Sequence, residues 1–182
     1  VIADQALKIY IKTNFLLHSS VPMAGDWFHL CFVENPGMAY GLKWGGGFGK
    51  LALTVFRFGA VVFGFWYLGR IIKMKYHKGF IICAGLIFAG AVGNLIDSCF
   101  YGIIFDKGMI YDPQLNEYVT YQGLAKFTCG GYSSFLHGNV VDMIYVPMIE
   151  NGTLPSWLPF WGGENFTFFA PIFNVADASI SI

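Results

Sequence analysis

Two stretches of the chain are almost free of polar residues over the length of a bilayer crossing. Residues 51–72 read LALTVFRFGAVVFGFWYLGRII, and residues 79–105 contain GFIICAGLIFAGAVGNLID. A helix of about 20 apolar residues reaches across the hydrocarbon core, so both are predicted to span a membrane. Shorter apolar segments flank them at about 1–17 and 166–182. The first carries Asp4, Lys8 and Lys12 at spacings of four, one helical stripe on which opposite charges can pair. The second contains Pro171 and stops before it could cross. The pattern predicts four helices with both termini on one side and outer loops at about 18–50 and 106–165. The chain begins at Val1 and its flanking spans are short, so it is expected to continue beyond both ends.

The outer loops carry patterns of their own. DWFHLCFVEN is rich in strand formers, and EYVTYQ is a second strand candidate. HGNVVDMIYVPMI is apolar enough to fold back against the bundle. PSWLPFWGGENF gathers Trp157, Phe160 and Trp161, aromatics that favour the headgroup level. The glycine-rich GLKWGGGFGK (residues 41–50) reads as a flexible connector, because it lacks the G-x-x-x-x-G-K-[ST] spacing of a phosphate loop. The expected fold is an all-α polytopic membrane protein of one domain, with a small extracytoplasmic β-sheet element and an outer-surface loop or helix.

Composition strengthens that reading. The chain is 55% hydrophobic and only 12% charged, against about 25% charged in an ordinary soluble domain. Eleven basic and eleven acidic residues balance to zero, which argues against a nucleic-acid partner. The turn KMKYHKG, with Arg70, gathers four of the eleven Lys and Arg residues; the positive-inside rule makes it cytoplasmic and puts both long loops outside. Cys31, Cys83, Cys99 and Cys129 show no metal-ligand spacing, and no metal or cofactor is expected. Cys31 and Cys129 fall in outer loops, where they either pair or remain two free thiols. Gly85, Ala89 and Gly93, at intervals of four, either let a neighbouring helix approach or reflect the general abundance of small residues in membrane helices.

The pattern Asn-x-x-Asp occurs three times, as Asn94–Asp97, Asn139–Asp142 and Asn174–Asp177. In a helix that spacing puts both residues on one face. A carboxylate within a membrane faces the bundle interior or a wet cavity. A single Asn there is readily explained as an interhelical hydrogen bond, whereas ionisable Asp97 and Asp177 together suggest a functional site. The topology sets Asp97 about two-thirds along its helix and Asp177 just below the outer surface. Asp142 lies in the outer segment that folds back, so Asp142 and Asp177 can meet there. Two carboxylates in contact do not both ionise easily and can share a proton. One then activates water while the other donates to a carbonyl, as in aspartic proteases. His137 reads as a loop histidine.

At these residues the sequence resembles the lipoprotein (type II) signal peptidases. GNLID, GNVVD and FNVADASI look like signature blocks of that family, as do DQALK at residues 4–8 and NPGMAYG at 35–41. The blocks follow the family's order over essentially the whole chain. The resemblance implies a monomeric aspartic endopeptidase of the bacterial inner membrane. It would remove signal peptides from diacylglyceryl-modified prolipoproteins, just before the lipidated cysteine. The implied dyad is Asp142 and Asp177, with Asn94 and Asn174 holding dyad and substrate. Asn35 and Gly37 would contact substrate backbone, Asp4 and Lys8 would stabilise the helix interface, and Asp97 would be structural. Substrate acyl chains in the outer leaflet would bring the scissile bond to the membrane surface, with the three aromatics bordering lipid entry.

Three departures stand out. Ser98 occupies the position where the family usually has Arg, and a guanidinium binds carbonyls in a way serine cannot. Arg57, two turns below the outer end of its helix, is the candidate to supply that charge; the plain alternative is an arginine snorkelling to the interface. Pro36 and Tyr40 stand within NPGMAYG. The loop at about 106–136 is unusually long, and either covers substrate or is decoration. Two other classes compete: a proton-coupled transporter relaying through Asp97 and Asp177, and a membrane assembly subunit with polar helix contacts.

Overall fold

The computed structural model describes residues 1–25, 27–37, 46–147, 149–153, 165–168 and 171–181. The predicted aromatic border of Trp157, Phe160 and Trp161, and residues 38–41 of NPGMAYG, lie outside these.

The first helix, α1 (Ile2–Asn14), is built inside out. Asp4, Lys8 and Lys12 are buried with Ile11, while Ile2 and Tyr10 face outward. A water-soluble helix would invert that arrangement. An extended Phe15 ends α1, and the chain turns into an antiparallel pair, β1 (Ser20–Ala24) and β2 (Phe28–Asn35).

Helix α2 (Gly46–Lys73) begins inside the predicted connector, whose last five residues form its first turns. Its apolar window, Gly49–Lys73, is only 6% buried in the protein. Phe56, Phe58, Val62, Phe63, Phe65 and Trp66 point outward. At 1.5 Å per residue its 25 residues extend about 37 Å, enough for a bilayer core. Helix α3 (Lys78–Ile96) follows a short basic turn and is capped by His77, whose Nδ1 accepts from Gly79 N. It continues through a π-helical turn, Asp97–Tyr101, into α4 (Gly102–Ile104). The whole apolar run, Lys78–Ile104, is also long enough to cross.

Two elements, β3 (Ile110–Asp112) and β4 (Glu117–Val119), form a hairpin in the long loop. Strand β5 (Val140–Tyr145) pairs with β2, and β6 (Ile149–Thr153) pairs with β7 (Asn165–Phe168). Strand β8 (Ile172–Phe173) pairs with β5 and leads into α5 (Val175–Ser181). The main sheet is antiparallel, in the order β1-β2-β5-β8. Ile11, Phe32, Tyr101, Phe105, Val141 and Met143 form the core where α1, the sheet and the π-turn meet.

These observations correct three expectations. The expected small β-sheet element is larger than predicted, with three sheets in the two long inter-helix segments, and no helix appears between 106 and 165 among the described residues. The last helix starts at Val175 rather than about 166, because residues 165–168 and 172–173 pair as strands around the donor-less Pro171. Close helix approach uses Gly90 and Gly93 rather than Gly85. A Cβ on Gly90 would lie 2.4 Å from Ala176 O and one on Gly93 would lie 2.8 Å from Asp4 Oδ2, whereas Gly85 has open space.

Candidate active site

The π-turn, β5 and the start of α5 converge on one buried polar cluster. The three Asn-x-x-Asp repeats reach it by different local structures. Asn94 lies in the last turn of α3, and Asp97 opens the π-turn. Such turns redirect side chains and are frequent at functional sites. Their freed carbonyls here accept from the long loop, as Gly138 N to Ser98 O (2.9 Å) and Ser133 N to Gly102 O (2.9 Å). Asp142 lies on β5, opposite Val33 of β2. Asn174 precedes α5 rather than sharing a helical face with Asp177. Its Oδ1 accepts Asp177 N at 2.8 Å, and its own N–H points back to Asp177 Oδ2 at 3.4 Å. This reciprocal pairing is a capping box, and it explains the spacing of Asn174 and Asp177.

Two amides link Asp142 and Asp177. Asn174 Nδ2 donates to Asp142 Oδ1 (2.7 Å) and to Asn94 Oδ1 (3.2 Å), and Asn94 Nδ2 donates to Asp177 Oδ1 (2.8 Å). Lys8 Nζ donates to Asn94 Oδ1 at 2.8 Å, which turns the amide's nitrogen toward Asp177. Burial foremost, then the charge of Asp177, pushes the Asp142 carboxyl up to about 7 against the opposing hydrogen bond from Asn174.

Behind this cluster, Lys8 pairs with Asp4 (3.1 Å) and Asp97 (2.7 Å), all fully buried. Asp4 Oδ1 accepts Ala176 N (2.9 Å), joining α1 to the first turn of α5. Asp97 accepts Gln5 Nε2 (2.7 Å) and Val141 N (3.4 Å). Arg57 donates from Nη1 to Ser98 Oγ at 3.1 Å, and Ser98 Oγ donates to Asn94 O at 3.0 Å. Arg57 therefore meets the very residue where a charge was expected, within electrostatic reach of Asp177, Asp97 and Asp142. Asn35 and Gly37 sit apart from the two carboxylates, at the end of β2. Asn35 is opposite Val140, and its Oδ1 accepts Gly37 N (2.9 Å) in a turn that sets Gly37 at φ +100°.

The four cysteines are free, so Cys31 and Cys129 do not pair. His137 is a loop residue bonded to Ser134 Oγ (3.0 Å). Among the described residues no three His, Cys, Asp or Glu side chains converge as a metal site. Sequence reasoning overlooked Gln5, Glu34 and the hydrogen bonding of Asn139. Glu34 was signalled only as a lone carboxylate in the apolar run FHLCFVEN.

Known proteins resemble this chain over its whole length. The family model described as signal peptidase (SPase) II matches residues 1–182. A lipoprotein signal peptidase of Porphyromonas gingivalis is 46% identical over 182 residues, covering 100% of this chain and 74% of the relative. One from Amoebophilus asiaticus is 32% identical over 183 residues, covering 99% and 69%. The fold also matches a bacterial membrane enzyme solved by the in meso method at 2.3 Å, with TM-score 0.56, 21% identity, and coverage of 99% of this chain and 74% of that one. Nothing in these comparisons favours a transporter. The chain belongs to the signal peptidase II family, membrane-bound peptidases of lipoprotein processing.

Proposed function

We propose that this chain is an aspartic endopeptidase that cuts diacylglyceryl-modified prolipoproteins just N-terminal to the lipidated cysteine, with Asp142 and Asp177 as its dyad. The observation that carries the reading is the paired amide bridge, in which Asn94 and Asn174 each donate to one carboxylate and to nothing of like charge. Protonated Asp142 donates to the scissile carbonyl oxygen while ionised Asp177 takes a proton from water, whose oxygen adds to the carbonyl carbon. Collapse of the gem-diol then breaks the C–N bond. Asp177 delivers its proton to the departing nitrogen, and the diol returns one to Asp142. One water is consumed and both carboxyls regain their starting states.

The supporting residues take roles around that reaction. Arg57, with one N–H on Ser98, directs further donors at a substrate backbone carbonyl. Asn35 and Gly37, at the end of the strand beside β5, contact the extended substrate backbone. Asp4, Lys8 and Asp97 hold the helices together. We take the enzyme to act as a monomer. We place the enzyme in the bacterial inner membrane, with four crossings counting α1 and α5, both termini inside and the dyad near the outer face. The basic turn between α2 and α3 supports that orientation.

The test is cleavage of a diacylated lipoprotein peptide by the purified chain in detergent. Asp142→Asn and Asp177→Asn should each abolish turnover, and EDTA should leave it unchanged. A wild-type chain that does not cleave, or variants that cleave normally, would sink the reading; loss of activity in EDTA would refute its metal-free form.

A further inference from the structure

A second buried polar cluster lies beside the dyad, centred on Glu34. Its carboxylate is 3% exposed and accepts from four donors: Lys12 Nζ, Tyr121 Oη (2.9 Å), Met109 N (2.8 Å) and Asn139 Nδ2 (2.7 Å). Lys12 is fully buried, its ammonium 5.1–5.8 Å from the ring centres of Phe32, Phe105, Tyr121 and Tyr132. Asn139 is equally occupied. Its Nδ2 also donates to Met109 O (2.9 Å), its Oδ1 accepts Lys50 Nζ, and its backbone N–H donates to Tyr132 Oη (2.8 Å). Met109, Tyr121 and Tyr132 belong to the long 106–136 loop, so this cluster docks that loop onto the sheet.

Stability alone does not account for the cluster, because a well-packed apolar group often serves as well as a buried ion pair. Register does. Strands β2 and β5 pair as Asn35 with Val140, Glu34 with Val141 and Val33 with Asp142, and the ladder is then interrupted between Val33 and Leu30. The backbone ladder is therefore irregular right beside Asp142. A one-residue slip would turn every β5 side chain to the opposite face and take Asp142 from Asn174. The bond from Glu34 to Asn139 crosses the same strand pair, three residues before Asp142, and permits one alignment only.

We propose that Glu34 and Asn139 are positioning residues for the peptidase reaction, their buried hydrogen bond, neutralised by Lys12, fixing the register of β5 and thus the place of Asp142 beside Asn174. The inference rests on the dyad reading above. It also gives the long loop a role as part of this latch rather than as a cover over substrate.

The experiment compares full-length wild type, Asn139→Ala and the charge-balanced pair Lys12→Met with Glu34→Gln in the lipopeptide assay, recording kcat, KM and pH profile. Both variants should lose about tenfold or more in kcat, about 1.4 kcal/mol or more of barrier, while KM changes less than about threefold. The alkaline limb of the profile should move upward, since the bond from Asn174, ahead of the charge of Lys8, holds the Asp142 carboxyl down. Combining the variants should add no more than about twofold, as expected for residues acting through one bond. A kcat within about twofold of wild type overturns the proposal, as does a loss of kcat with an unmoved limb, which marks a purely structural role. Independent, multiplying losses overturn it too. A wild-type chain that fails to cleave overturns the peptidase reading, and this one with it.

Discussion

Asp142→Asn removes a carboxyl group whose ionisation the fold disfavours. Burial first, and the neighbouring charge of Asp177 second, raise it from 3.8 to about 7. The folded protein thus holds this proton more tightly than the unfolded chain does, and ionisation weakens the fold. The penalty is absent below about pH 4, grows up to about pH 7 and is constant above it. Three units at about 1.4 kcal/mol each make it about 4 kcal/mol at pH 8, and two of those units accrue above pH 5. Asparagine avoids this penalty and keeps an Oδ1 to accept from Asn174 Nδ2. The stability difference in favour of Asp142→Asn should therefore widen by about 3 kcal/mol between pH 5 and pH 8. At roughly 2–4 °C per kcal/mol for a chain of this size, that is several degrees in Tm. Thermal unfolding in detergent, followed by tryptophan fluorescence at both pH values, measures it. A gap equal at the two pH values, or a wild type more stable than the variant at pH 8, would refute the reasoning. The same ionisation should produce an alkaline decline in wild-type turnover near pH 7.

Arg57→Gln should lower kcat/KM by about 10- to 100-fold, the worth of a charged hydrogen bond, with little change in Tm; full activity would remove Arg57 from the site. Lys8→Met leaves Asp4 and Asp97 buried without their cation and should destabilise by about 3–5 kcal/mol. Adding Asp97→Asn should recover much of that, and failure to recover in thermal unfolding would show that the pairing with Asp97 is not what Lys8 supplies. Gly90→Ala would drive its Cβ into Ala176 O and displace α5, lowering cleavage at least tenfold, whereas Gly85→Ala, whose Cβ meets nothing within 4 Å, should retain it; equal activities would refute the close α3–α5 contact.

The parts of the molecule legible in the sequence are those set by local pattern. The two long apolar helices follow from hydrophobic run length, and β2 follows from its strand-forming residues. Asp142 and Asp177 were accessible because polar groups in apolar segments need a reason. The segment 165–173 was misread because a short apolar run containing Pro suits helix or strand, and its strand partners decide. The π-turn has no sequence signature, although it brings Asp97 and Ser98 into the site. The stripe of Asp4, Lys8 and Lys12 was visible, but the partner of Lys12 was not. Its neighbour at a spacing of four is Lys8, a like charge, whereas the fold gives it Glu34 on β2, a contact that only tertiary structure supplies.

That stripe explains how one short helix can hold in place the two carboxylates of the proposed dyad. Lys8 compensates Asp97 and Lys12 compensates Glu34, and these two carboxylates grip β5 at Val141 N and at Asn139. Both cations thus act on the strand that carries Asp142, yet what reaches its carboxylate is the amide of Asn174. A lysine bonded there would favour the ionised form and leave no proton to donate. Asp177 is treated differently. It lies in the first turn of α5 and accepts an amide, Asn94, that Lys8 polarises from behind. Asp142 is buried on its strand and faces the charge of Asp177, which together push its carboxyl up to about 7. In the proposed reaction that proton is the one Asp142 gives to the scissile carbonyl, while the amides of Asn174 and Asn94 keep the two carboxylates in place.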